Sequence, residues 1–228
     1  MRRIAAGLIV IMSVLLVSCK GKTGNTITVG SDKLDNTQSY FSESMHKAAR
    51  CDSGYYYLDK CGASADNLMF YDDKSEESIV LCNKPQCGHD GEECMAYISG
   101  SEFKSELYYY NSYIYMISSK GNLVRISADG TQRTDLGSIC VLSGQDSVSM
   151  CFNDGYAYVS QEITGDIEGN VTVRLYRFNL DTGLSDKIYE ETGYGIGINS
   201  LKTYGSDTFF LKTSVSNCLL YTSPSPRD

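Results

Sequence analysis

A short strand motif that recurs along the chain constrains its fold more than any other feature. Each copy continues from turn residues into alternating aromatic or aliphatic residues, the period-two pattern of a half-buried strand. Successive copies lie 58, 43 and 52 residues apart. The copies are Ser53-Gly54-Tyr55-Tyr56-Tyr57-Leu58, Asn111-Ser112-Tyr113-Ile114-Tyr115-Met116, Asp154-Gly155-Tyr156-Ala157-Tyr158-Val159 and the weaker Ser206-Asp207-Thr208-Phe209-Phe210-Leu211. We expect equivalent strand positions in successive sheets for six tyrosines: Tyr55, Tyr57, Tyr113, Tyr115, Tyr156 and Tyr158.

A second strand motif follows each of the first three copies and ends in a turn. Two of these turns, Asp129-Gly130 and Asp181-Thr182-Gly183, suit hairpins that need a positive φ. Periods of about 40 to 50 residues with several strands each are typical of β-propeller blades, which cover each other's faces by stacking around an axis. We therefore predict an all-β fold of antiparallel sheets: a partial β-propeller of about three blades and the start of a fourth, in preference to a β-sandwich or a β-solenoid.

The amino terminus has the pattern of an export signal. Arg2 and Arg3 precede an uncharged run over 4–18 that is too short for a membrane span but long enough for a signal sequence. The run ends in Leu16-Val17-Ser18-Cys19, which resembles the lipobox of bacterial lipoproteins, whereas an ordinary cleavage site would want a small residue in place of Leu16. The resemblance implies a signal peptide over 1–18, a diacylglycerol thioether on Cys19, and a lipid-anchored protein on the extracytoplasmic face of the cell membrane.

The polar segment over 19–50 shows no sustained apolar period, and we interpret it as a flexible tether between the anchor and the folded part. At the other end, residues 218–228 resemble one reading frame of a transposon adapter used to build sequencing libraries. That resemblance implies a non-native tail, and we expect the gene to continue past Asn217. The incomplete propeller is then assigned to 51–217.

The densest chemical feature lies between the first two copies of the repeat. Cys82, Cys87, His89 and Cys94 offer three thiols and an imidazole, a donor set that is common in structural zinc sites. The spacing, C-x4-C-x-H-x4-C, departs from the usual two-residue spacers of zinc knuckles. Structural zinc is therefore one candidate cofactor of this segment.

Disulfide bonds are the alternative, because exported chains meet oxidising conditions. Outside Cys19 and Cys218 the chain has seven cysteines. Pairing Cys51 with Cys61 and Cys140 with Cys151 would leave three, the number that a Cys3His site needs, but one free or unpartnered thiol gives the same parity. On this reasoning we favour a disulfide within 82–94 over a metal, and in either case a staple for a loop rather than a catalytic group.

The lipobox, the repeat and the cysteine segment together resemble the propeller lipoproteins of gut anaerobic bacteria, many of unknown function. The resemblance implies a surface module that binds or scaffolds a glycan, peptide or protein. A formal net charge of −8 argues against nucleic acid as a partner. No paired catalytic groups or catalytic motifs stand out, so the sequence favours a binding module over an enzyme without deciding between them. The alternative is an extracytoplasmic hydrolase or lyase whose catalytic residues lie partly in further blades.

Overall fold

All of the regular structure described by the computed structural model, which covers residues 48–100, 102–103, 106–165 and 169–214, is β-strand. These ranges form four antiparallel sheets and contain no helix, and hence no apolar helix long enough to cross a bilayer. The expectation of an all-β antiparallel fold is confirmed. The predicted signal peptide, Cys19 and the tail over 218–228 lie outside the described residues.

The sheets follow one another along the chain. The first contains β1 (Ala48–Cys51), β2 (Gly54–Lys60), β3 (Ala65–Asp72), β4 (Glu77–Val80) and β5 (Tyr97–Ser99). The second contains β6 (Tyr108–Tyr110), β7 (Tyr113–Ile117), β8 (Asn122–Ser127) and β9 (Arg133–Ser138). The third contains β10 (Ser147–Asn153), β11 (Tyr156–Thr164), β12 (Asn170–Asn179) and β13 (Ser185–Tyr194). The fourth pairs β14 (Ile196–Tyr204) with β15 (Asp207–Ser214). β1 begins inside the range predicted as tether, because Ala49 and Cys51 already alternate into the core.

Tight hairpins connect the first two strands of the second and third sheets, and their turn residues have positive φ. Asn111 and Ser112 both have positive φ (46° and 65°), as do Asp154 and Gly155 (45° and 76°). Two successive positive φ values are the mark of a two-residue turn whose twist matches that of the flanking strands. The hairpin of β6 and β7 and the hairpin of β10 and β11 therefore have equivalent registers.

The recurring tyrosine motif lies on the second strand of each sheet, but its register shifts in the first. Tyr113 and Tyr156 each follow a two-residue turn and pair with the last residue of the preceding strand, Tyr110 and Asn153, so the prediction of equivalence is confirmed for β7 and β11. In β2 the corresponding position is Gly54, which pairs with Cys51. A Cβ there would lie 1.8 Å from the carbonyl oxygen of Tyr71. The tyrosines are displaced by one residue, and the prediction is wrong for Tyr55 and Tyr57.

Consecutive sheets pack face to face through aromatic side chains. Tyr56, and not its two tyrosine neighbours, reaches the second sheet, where its ring stacks on Tyr109 with centroids 5.6 Å apart. Phe152 of the third sheet is fully buried against Tyr110 and Tyr115, at 5.0 and 4.5 Å. Each interface thus buries large aromatic surfaces, which supply much of the stabilisation of a β-protein.

The outer edge of the first sheet is interrupted. β4 pairs with the end of β3 and β5 with its beginning, both antiparallel to it, so the two segments share one edge of β3. Between them residues 81–96 leave the sheet and return, and we call this excursion the knob. Leu68 binds both ends of the knob: its carbonyl accepts from the Leu81 amide and its amide donates to the Ala96 carbonyl, both at 2.8 Å. The knob therefore starts and ends at one point of the sheet.

Candidate metal centre

The knob brings four side chains with metal-binding atoms to one place. The sulfur atoms of Cys82, Cys87 and Cys94 and a ring nitrogen of His89 all lie within 4.8 Å of one another. A tetrahedral zinc ion with bonds of about 2.0 to 2.3 Å needs ligand atoms separated by about 3.8 Å. The Nδ1 atom of His89 already lies 3.3 Å from the sulfur of Cys94. A small contraction around an ion would complete the tetrahedron.

The local backbone explains how a short segment turns its four side chains inward. Gln86 and His89 have positive φ values of 59° and 56°, which fold the segment back on itself around Cys87. Non-glycine residues in this conformation cost of order 1 kcal/mol or more each and persist where other interactions hold them. A metal bond to His89 would be an interaction of the required kind.

The second sheet supports the knob from outside. The Asn83 amide donates to the carbonyl of Gly130, at 3.4 Å, in the turn between β8 and β9. Gly130 has a φ of +68°, and a Cβ on it would lie 2.6 Å from the Leu81 carbonyl oxygen. The Asp-Gly turn identified in the sequence thus also allows the knob and the second sheet to approach closely.

The three thiols occupy different electrostatic environments. Burial raises the pKa of Cys94, whose residue is 2% exposed, to about 12. Burial acts in the same direction on Cys82, yet the backbone amides of Lys84 and Met95, together with the neighbouring thiols, lower the pKa of Cys82 below its usual range. Amide donors stabilise a thiolate, so Cys82 is the first of these two sulfurs to lose its proton. A cation at the centre would favour deprotonation of the others.

The structure does not form the disulfides that the sequence suggested. All seven cysteines of the described ranges are free, including the three of the knob. Cys51 and Cys61 flank opposite ends of β2, whose seven residues separate them by about 20 Å. Cys140 packs between the second and third sheets, whereas Cys151 packs between the third and fourth. Neither expected pair is at bonding distance in the structure, nor are two cysteines within 82–94, where all four donors instead lie close together.

Several groups that shape the centre escaped the sequence reasoning. The amides of Lys84 and Met95 carry no side-chain signal, and the support from Gly130 comes from a turn in another sheet. The sequence does carry a signal for the knob, because residues 81–96 separate two short strand patterns. That these two strands share one edge of the sheet follows only from their pairing with β3.

Comparison with known proteins adds no family to these observations. No protein-family model matches the chain, and no curated protein matches it. The four converging side chains and the arrangement of the sheets are the observations from which a function can be argued.

Proposed function

We propose that this protein is a lipid-anchored, extracytoplasmic binding module built on a β-propeller, in which a zinc ion held by Cys82, Cys87, His89 and Cys94 fixes the knob. The observation that carries the proposal is the convergence of these four donors on a loop that leaves and re-enters one edge of a sheet. A rigid sheet scaffold with a fixed surface loop is a common arrangement for binding.

Zinc is the ion that suits this donor set best. Three sulfurs and one imidazole form a soft, nitrogen- and sulfur-rich shell, which disfavours magnesium and calcium and matches tetrahedral zinc. Four protein ligands also leave no open position for substrate or water. The proposed site is thus structural, and its role is to hold the knob rather than to carry out a reaction.

The knob needs such a staple. It is a 16-residue excursion, from 81 to 96, without a strand of its own, and loops of that length in a folded domain are otherwise uncommon unless they are functional or disordered. Its buried residues, Leu81, Cys94 and Ala96, sit near the sheet, while Lys84 and Glu93 pair on the solvent side at 3.3 Å. Metal binding would supply the folding free energy that this small loop core lacks.

The propeller assignment is supported by the way in which the sheets follow one another. β1 contacts β6, β6 contacts β10 and β10 contacts β14, so the first strands touch in chain order, as the inner strands of blades do around an axis. β15 occupies the second position of its sheet and exposes Phe209, Phe210 and Leu211. In a propeller, the faces of neighbouring sheets cover such side chains. The propeller predicts that further sheets extend the series back to β1, which a structure of a longer gene product would test.

Elemental analysis tests the zinc site directly. The full chain, purified with a reductant and without chelators, is expected to contain one zinc ion per molecule, and Cys87→Ser is expected to lose it because the site then has three ligands. Cys61→Ser is the matched control, since Cys61 is an exposed free thiol outside the cluster. A zinc-free wild type, or equal zinc loss in both variants, would contradict the proposal. So would a disulfide within 82–94, which lowers the mass by two hydrogens in protein prepared without reductant.

A further inference from the structure

We infer that a cavity between the knob and the second sheet binds a neutral, hydroxyl-rich ligand the size of a mono- or disaccharide. This inference rests on the binding function proposed above and assigns a ligand class to it. The cavity has a volume of about 510 Å³, within the range of small-molecule sites. Its lining residues are Glu92, Tyr97, Ser99, Glu102, Ser119 and Arg133.

The cavity is assembled from parts of the chain that are distant in sequence. Glu92 belongs to the knob, and Tyr97 and Ser99 lie on the same side of β5, opposite the buried Ile98. Ser119 lies in the turn between β7 and β8, and Arg133 begins β9. Two sheets and the knob therefore each contribute a wall.

The polar groups that line the cavity are held in place before any ligand binds. The Glu102 amide donates to the Ser99 carbonyl at 2.9 Å, and the Glu102 carbonyl accepts from the Ser119 amide at 2.6 Å. Arg133 donates to the carboxylate of Glu102 and, at 2.9 Å, to the carbonyl of Tyr97. Such preorganisation reduces the entropy lost on binding.

The balance of donors and acceptors selects the ligand class. An anion would meet the carboxylates of Glu92 and Glu102, while Arg133 is already engaged by Glu102. A cation would meet the positive guanidinium of Arg133, and an organic ammonium offers only donors, which leaves the donors of Arg133 and of the two serines without acceptors. Ser99 and Ser119 both donate and accept. A ligand with many hydroxyls complements this mixed lining, because each hydroxyl can do both as well.

The same lining disfavours a purely apolar ligand. Burying the charged and hydroxyl groups under an apolar surface would remove them from water without replacing their hydrogen bonds. Tyr97 provides one aromatic surface, which suits the C–H face of a sugar ring next to its hydroxyls.

The proposed metal centre and the cavity share one wall. Glu92 precedes Cys94 by two residues and Tyr97 follows it by three, so the ion that fixes Cys94 would also fix the positions of both. Removing zinc should therefore weaken sugar binding indirectly, through the positions of Glu92 and Tyr97.

Ligand-observed NMR on the full chain tests this inference. The zinc-containing protein, in a detergent without a sugar headgroup, is mixed with lactose, maltose, cellobiose or diacetylchitobiose as neutral probes, and with putrescine or glucuronate as charged probes. We expect saturation transfer to at least one neutral sugar and none to the charged probes. Glu92→Ala should weaken that binding about tenfold, because a charged hydrogen-bond acceptor is lost.

Glu93→Ala is the matched control: it removes the same charge from the adjacent residue, which pairs with Lys84 and does not line the cavity. It should bind sugar like the wild type. Absence of sugar binding by zinc-containing protein, preference for a charged probe, or equal weakening by both variants would overturn the inference. Zinc is measured on each sample, so the two proposals fail separately: zinc-free wild type contradicts the metal site, and zinc-containing protein that binds no sugar contradicts the cavity.

Discussion

Single acceptor side chains define two of the hairpin turns in this protein. The carboxylate of Asp129 accepts hydrogen bonds from the Ser127 hydroxyl at 2.6 Å and from the Thr131 hydroxyl and amide at 2.7 and 3.0 Å. These bonds favour the charged form and lower the pKa of Asp129 to about 2. In the turn after β12, Asn179 instead accepts the amides of Asp181 and Thr182. A neutral amide and a carboxylate thus stabilise their turns in similar ways, but only the carboxylate makes the stability of its turn depend on pH.

We predict that Asp129→Ala destabilises the protein at neutral pH and that the difference from the wild type disappears in acid. The pKa of Asp129 is lower in the folded protein than the value of about 3.9 expected for an unfolded chain. Its contribution is therefore complete above about pH 4 and is lost as the pH falls towards 2. Denaturant unfolding of both proteins across this range measures the effect. Asp181→Ala serves as control, and a pH-dependent loss of the same size there would count against the explanation.

At the scale of strands, β2 shows how one glycine determines which side chains face a neighbouring sheet. Because Gly54 occupies the position closest to the Tyr71 carbonyl, Tyr56 and not Tyr55 or Tyr57 points at the second sheet. Its hydroxyl donates to the carbonyl of Ala128 at 3.1 Å. A one-residue shift in register exchanges the two faces of a strand completely. Of the three consecutive tyrosines of β2, only the middle one therefore contacts the second sheet.

Tyr56→Phe should lower the free energy of unfolding by about 1 kcal/mol, because the ring contacts remain while the Ala128 carbonyl loses its donor. Chemical denaturation monitored by far-ultraviolet circular dichroism gives this value. Tyr57→Phe is the companion variant in the same strand, and the Tyr57 hydroxyl has no hydrogen-bond partner within the described ranges. It is expected to be neutral. Equal losses of stability in the two variants would contradict the conclusion that Tyr56, and not Tyr57, bonds to the second sheet.

At the scale of the whole molecule, side-chain hydrogen bonds join each sheet to the next. Tyr108 and Tyr110 of β6 accept hydrogen bonds through their hydroxyls from the amides of Met150 and Gly155, at 3.1 and 3.5 Å. Asn153 continues the series by donating to Thr208 of the fourth sheet at 3.3 Å. Apolar burial brings the sheets together, and these polar contacts fix how each one sits on the next.

The proposed lipid anchor concerns the protein as a whole, since it determines where the folded part works. In a bacterial host the wild type should incorporate labelled palmitate and partition into a detergent phase, because an acylated cysteine carries its own hydrocarbon chains. Cys19→Ala should incorporate no label and retain its signal peptide. Cys61→Ala should behave like the wild type. Labelling of Cys19→Ala at the wild-type level would exclude the anchor at this position.

The sequence by itself determined the features that depend on neighbouring residues. Period-two alternation identified the strands of β2, β7 and β11, and Asp-Gly and Asp-Thr-Gly marked turns in which Gly130 and Gly183 do have positive φ. The four donors of the knob were also visible, because they lie within thirteen residues. Backbone preferences and loop closure over such short distances act locally, so they leave a local signal.

The tertiary structure decided the features that depend on residues far apart in the chain. Which face of β2 is buried depends on a carbonyl of β3, and β4 and β5 form one interrupted edge because both pair with that strand. Cysteine parity could not show that Cys51 and Cys61 flank opposite ends of a strand. The cavity joins Glu92 to Arg133 across two sheets. Such contacts follow from how whole sheets bury their apolar faces, and no short stretch of sequence encodes that packing.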